Sequence, residues 1–145
     1  MIQFHTDNIN LPKFPKRVIG NWIKTIAEKY NKRVGEIVYI FCTDKKIRKI
    51  NRKFLSHNGS TDVITFDYST NNLISGDIFI SIDTVLCNAT YYKVDFQNEL
   101  FRVMIHGILH LCEIQDDSNE ARTAMEKHEN EALVLLYKTL LKDAI

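Results

Sequence analysis

Glycine and proline are scarce in this chain, five and two among 145 residues. No Pro/Gly/Ser-rich stretch marks a linker and no internal repeat or low-complexity tract appears, so a single domain over 1–145 is expected. Long apolar runs are missing too: nothing approaches the roughly eighteen residues a membrane span needs. The opening segment MIQFHTDNINLPKFPK has no basic stretch followed by an apolar core, so the chain reads as neither secreted nor membrane-inserted and is predicted to be cytoplasmic. Cysteine is limited to Cys42, Cys87 and Cys112, an odd number without C-x-x-C spacing. That disfavours a zinc ribbon or redox motif and fits a reducing, intracellular setting.

What is present suffices for one core, since 45% of the residues are hydrophobic. The net charge of +1 hides an asymmetry. Residues 1–58 carry 13 Lys/Arg against 4 Asp/Glu, and residues 59–145 carry 6 against 14. The densest basic run, Lys45-Lys46-Ile47-Arg48-Lys49-Ile50-Asn51-Arg52-Lys53, has the charge to attract a polyanion by counterion release; a solvated helix face accounts for such a run as well.

Apolar periodicity predicts a strand at 2–5, a helix at 16–30 with Val18, Ile19, Trp22, Ile23 and Ile26 on one face, and a strand at 34–42. Asp44 is the expected N-cap of a helix whose apolar stripe is Ile47, Ile50, Phe54 and Leu55. Val63 to Phe66 and Ile78 to Ile82 read as β-branched strands. Helices are expected from a cap at Asp83 to Tyr92, from Phe96 to Leu111, and from a cap at Ser118 to Leu141. The predicted fold is α+β, one small mixed four-stranded sheet with about five helices.

The chemistry concentrates in His106-Gly107-Ile108-Leu109-His110-Leu111-Cys112-Glu113-Ile114-Gln115-Asp116-Asp117. Two histidines four apart on a helix differ by only about 40° in direction, so both imidazoles reach one side and can share a metal. If the helix ends near Cys112, the chain can turn back and present Asp116 to the same ion, giving a His-His-Asp site with a fourth tetrahedral position left for water. Cys112, about 200° from His110 on a helix, is assigned to packing. The spacing is shared with zinc peptidases of the H-E-x-x-H type, but their general base would stand at Gly107. A bare H-x-x-x-H pair is also common on helices that merely border a core.

Several segments in order carry a resemblance that the pair alone does not. The H-G-x-L-H-L motif, Asn51-Arg52 before a turn, Thr61-Asp62-Val63-Ile64-Thr65-Phe66, Gly76-Asp77-Ile78-Phe79-Ile80-Ser81 and Glu99-Leu100 resemble the YbeY family of endoribonucleases over most of the chain. The family's third histidine aligns with Asp116, a competent zinc ligand. Its helix-ending glycine aligns with Glu113, where a left-handed conformation is strained, so the helix end can differ and Asp117 can replace Asp116.

The resemblance implies a single-strand-specific, metal-dependent endoribonuclease with one Zn2+ per chain, acting in maturation of the small-subunit ribosomal RNA 3′ end and in ribosome quality control. It implies Arg52 as the residue on the scissile phosphate. Glu99, seven residues before His106 and nearly in the same helical direction, is read as a support for the ligands or a proton carrier, beside the alternative of a core-edge salt bridge. His57 is a further proton-donor reading; Thr61, Asp62 and Asp77 read first as structural, and His5 and His128 have no motif around them. Implied partners are ribosomal RNA in the small subunit, and a small-subunit ribosomal protein or assembly GTPase. The reading from another class is a ribosome-assembly factor that binds RNA and protein and keeps a mainly structural metal.

Overall fold

The computed structural model describes residues 1–55 and 59–144, without the side chains of 143 and 144. In chain order the elements are β1 (Ile2–Thr6), α1 (Lys16–Lys29), β2 (Arg33–Cys42), α2 (Asp44–Phe54), β3 (Val63–Asp67), β4 (Leu73–Ser81), α3 (Ile82–Tyr92), α4 (Phe96–Leu111) and α5 (Asn119–Ala144). The sheet order is β1-β2-β4-β3. β1 and β4 both run parallel to β2, and β3 pairs antiparallel with β4 at the edge. The expected α+β class, mixed four-stranded sheet and five helices are all present.

Side-chain alternation divides the sheet into two faces. Ile74, Ile78 and Ile80 of β4, with Ile37, Tyr39 and Phe41 of β2, pack into the main core with α1, α4 and α5. Ile64 of β3 with Cys42, Ile47 and Ile50 forms a smaller cluster against Phe66 and Phe79, so α2 covers the other face. α4 is apolar nearly all round, with Leu100, Phe101, Val103, Met104, Ile105, Ile108, Leu109 and Leu111 buried, as a helix enclosed on most sides must be. Tyr39 donates its hydroxyl to the Met104 carbonyl at 2.9 Å, and Trp22 Nε1 donates to the Ala132 carbonyl at 2.8 Å. These bonds fix α4 on the sheet and α5 on α1, each worth about 1 kcal/mol net.

Three local expectations are corrected. The N-caps are Thr43, whose hydroxyl accepts from the Lys46 amide, and Ser81, whose hydroxyl accepts from the Thr84 amide; Asp44 and Asp83 sit one and two residues further on, inside the first turns. β4 begins at Leu73 rather than Ile78, because Leu73 and Ile74 pair with Arg33 and Val34 of β2. Finally, Ile47 and Ile50 are buried but Phe54 and Leu55 are 60% and 41% exposed, so the apolar stripe of α2 runs out of the core.

Candidate metal centre

One polar stripe interrupts the apolar surface of α4: Glu99, Arg102, His106 and His110, spaced 3, 4 and 4 residues apart and therefore on one face. They line a cleft of about 900 Å3 whose opposite wall is the edge strand β3 and the Thr61-Asp62 segment before it. Gly107 faces the other way. A Cβ there would stand 3.0 Å from two carbons of Ile78, so this glycine lets α4 lie close on the sheet. A glutamate at 107, as the peptidase reading requires, would press on β4.

α4 ends in a Schellman motif: the Glu113 amide donates to the His110 carbonyl at 2.9 Å and the Ile114 amide to the Leu109 carbonyl at 3.0 Å. Glu113 adopts the left-handed conformation that this turn needs, at φ 73°, and its carboxylate pairs with Lys32 at 3.2 Å. The chain therefore turns where a glycine would turn it, and Asp116 returns to the histidines. Its Oδ2 lies 3.3 Å from Nε2 of both His106 and His110, and the two Nε2 atoms are 2.9 Å apart. Asp117 is exposed and stands outside the metal-competent group of His106, His110 and Asp116.

The donor set fits zinc. Ligation at about 2.0–2.1 Å in a tetrahedron separates ligand atoms by roughly 3.3 Å, which matches the triangle formed by these three atoms. Two imidazole nitrogens directed at each other also cannot both hold a proton, so the arrangement favours a cation. Behind it stands Glu129 of α5, a residue not anticipated from the sequence. Its Oε2 is 2.6 Å from His106 Nδ1, and its Oε1 accepts from Arg102 at 3.0 Å. A carboxylate on Nδ1 leaves Nε2 as the free donor and holds the ring in place. The signal for it was an acid in a core-facing stripe: Met125, Glu129, Ala132, Leu133 and Leu136 are the buried residues of α5.

Charge couples the group. Burial lowers the His106 imidazolium, but the hydrogen bond and charge of Glu129, with Asp116 and Asp62, bring it above the usual histidine value. His110 is held below it by burial and by His106, partly offset by Asp116. Burial raises the Asp62 carboxyl; Glu99 is raised by burial and then by the charge of Asp62. The Cys112 thiol, buried and pushed up to about 11, stays protonated and packs as expected.

The remaining sequence-predicted residues divide. Glu99 and Asp62 line the cleft with the histidines, and so do Asn51 and Leu55 from the end of α2. Arg52 does not; it lines a separate groove with Asp44, Lys45 and Arg48. Asp77 accepts from the Tyr68 hydroxyl, His128 from Tyr30 at 2.7 Å, and His5 contacts Gln3, all apart from the cleft. His57 lies outside the described residues.

An α+β domain with two histidines and a carboxylate gathered in a polar cleft is a fold with a group that could hold a metal ion. Residues 1–136 match the family described as Endoribonuclease YbeY. Among curated relatives, the Endoribonuclease YbeY of Parabacteroides distasonis is 50% identical over 135 residues, covering 93% of this chain and 95% of that one. That of Phocaeicola vulgatus is 50% identical over 136 residues, covering 94% and 99%. The solution structure of a Thermotoga maritima protein superposes with TM-score 0.64 at 24% identity, covering 96% of this chain and 93% of that one, and so shares the fold. The chain belongs to the YbeY endoribonuclease family.

Proposed function

We propose that this chain is a metal-dependent endoribonuclease of ribosomal RNA maturation, with zinc held by His106, His110 and Asp116. The observation that carries the reading is the placement of three ligand-type atoms within 4.8 Å of one another on the wall of an open cleft. A bound zinc ion supplies Lewis acidity and acidifies water near neutral pH. The residues that would hold it are His106, pinned by Glu129, with His110 and Asp116. Glu99, buried, and Asp62, half-buried, both with raised carboxyl pKa values, are assigned to hold a proton beside the reacting phosphodiester and release it to the leaving oxygen. Arg52, with Lys45 and Arg48 on α2, supports contact with the RNA backbone flanking the cleaved bond, since its groove lies outside the histidine cleft.

Substrate and setting follow the family: single-stranded ribosomal RNA, the small-subunit 3′ end in particular, with a role in ribosome quality control and a small-subunit protein or assembly GTPase as partner. No described helix is long and apolar enough to cross a membrane, which accords with work on ribosomes in the cytoplasm.

The test is metal content and cleavage together. Protein purified without added metal is expected to hold near-stoichiometric zinc, reduced in His110→Ala and Asp116→Ala but not in Asp117→Ala. It should cut a single-stranded RNA oligonucleotide and spare its duplex. Arg52→Ala should weaken RNA affinity with zinc retained. Zinc unchanged in the ligand variants would refute the site; zinc lost with no effect on RNA would leave the metal structural and favour the assembly-factor reading.

A further inference from the structure

A second cleft, of about 440 Å3, meets the first at the metal group. The two share Asp62, Glu99, Arg102, His106, Asp116 and Glu129. Its outer half lies between the end of α3 and the start of α5, where Asn88, Tyr92, Val94, Arg122 and Glu126 form the walls. None of these residues belongs to a motif of the chain, and of them Arg122 alone bonds to a ligand residue, at the Asp116 backbone carbonyl. We propose that this cleft seats one unstacked nucleobase of the RNA, that of the nucleotide adjoining the bond cleaved, with Tyr92 as its stacking surface; the inference rests on the nuclease reading above.

Three observations carry it. A phosphodiester positioned at the three ligand atoms has nucleosides on both sides, and both clefts open from those atoms. The second provides space for one of these nucleosides. Next, its outer wall has the chemistry of base recognition. Tyr92 is 62% exposed, so most of its ring is open to a ligand. The Tyr91 ring sets it at an edge-to-face angle of 83°, with centroids 5.1 Å apart. Aromatic stacking with hydrogen bonds to the base edge is how single-stranded RNA is held, and Asn88 and Glu126 supply a carboxamide and an acceptor on the same walls.

The third observation is charge. Of the five carboxylates that line this cleft, Asp62, Glu99, Asp116 and Glu129 stand in the part shared with the first cleft, and Glu126 alone stands in the outer half, where it can accept from the exocyclic amine of a neutral base. The positive group stands at the junction: Arg122 Nε donates to the Asp116 carbonyl at 3.4 Å, and among the described residues no carboxylate pairs with its guanidinium. Arg122 thus offers a phosphate one cation beside Asp116, and the base lies beyond it.

The probe is a single-stranded RNA oligonucleotide with one mapped cleavage site, together with versions carrying a single abasic residue at each position across it. With native protein, kcat/KM is expected to fall about tenfold for the abasic residue next to the cleaved bond, the loss of one stacked base. Tyr92→Ala should show the same fall with the complete RNA and no further fall with that abasic version, while Tyr92→Phe keeps native values. Affinity of metal-free protein for the oligonucleotide, read by fluorescence anisotropy, should drop in Tyr92→Ala, with zinc content of the purified variant unchanged. Native cleavage and affinity in Tyr92→Ala, with the abasic sensitivity retained, overturn the base-binding cleft and leave the nuclease reading intact; the exposed tyrosines then face a protein. RNA neither bound nor cut by the native chain would remove both.

Discussion

Glu129 Oε2 approaches His106 Nδ1 to 2.6 Å, shorter than any other side-chain contact of the metal group. The same carboxylate holds Arg102, whose other amine donates to Asn130 at 2.8 Å. α5 thus clamps the first ligand of α4 from behind, through a charge that is buried and fully occupied.

Removing that clamp should loosen the metal without unfolding the chain. Glu129→Ala is expected to lower zinc affinity about 10- to 100-fold, as loss of a ligand-orienting partner typically does, and Glu129→Gln, which keeps an acceptor but no charge, by less. Competition with a chromophoric chelator reads the affinity directly. Native affinity in the alanine variant would show that Asp116 and packing alone orient His106.

The helix end offers a sharper test of local physics. Glu113 carries a Cβ at φ 73°, where a side chain costs about 1–2 kcal/mol relative to the right-handed conformation. Its pairing with Lys32 is to a carboxylate that is 78% exposed, so the compensation is small. Glu113→Gly should therefore raise the thermal midpoint by a few degrees, and zinc content should stay as it is, because the Schellman bonds are made by backbone. A lower midpoint would mean that the ion pair outweighs the strain.

How much of this was legible depends on whether the determinant is local. The bounds of α4, Phe96 to Leu111, follow from periodicity and appear unchanged in the structure. The His106-His110 pair follows from the helical repeat, and the return of Asp116 from the helix ending at Cys112. Caps were shifted because Thr43 and Asp44, or Ser81 and Asp83, are equally competent oxygens; strand pairing that ends at Cys42 and Ser81 selects between them. Glu129 was hidden by 23 residues of separation and by its neighbours Glu126 and Glu131. Arg52 is placed by the rotation of α2 about its axis, which the exposed Phe54 and Leu55 show the apolar stripe defines poorly.

Gly107 marks a contact where volume is the whole argument. Gly107→Ala inserts a methyl 3.0 Å from Ile78 Cδ1 and Cγ2, and overpacking of this kind costs about 1–3 kcal/mol. Chemical denaturation should show that loss, together with weaker zinc binding as α4 moves off the sheet. Pairing it with Ile78→Val should restore part of the stability; two independent, additive losses would indicate that the helix does not press on β4 here.

Glu99 and Asp62 allow the sign of a pH effect to be worked out. Both carboxyls are raised by burial, so the folded chain binds their protons more tightly than the unfolded chain does. Stability is then greatest below the ordinary carboxyl range and falls as pH rises through that range toward the raised folded values. In metal-free protein, Glu99→Gln should therefore raise the thermal midpoint at neutral pH, with the gain shrinking to nothing near pH 4, while cleavage by the zinc-loaded variant declines because a proton carrier is gone. Buried groups that destabilise the fold and serve the reaction are what a functional site contains. A midpoint lowered equally at all pH values would instead make Glu99 a structural partner of Arg102, and the proton would have to travel through Asp62.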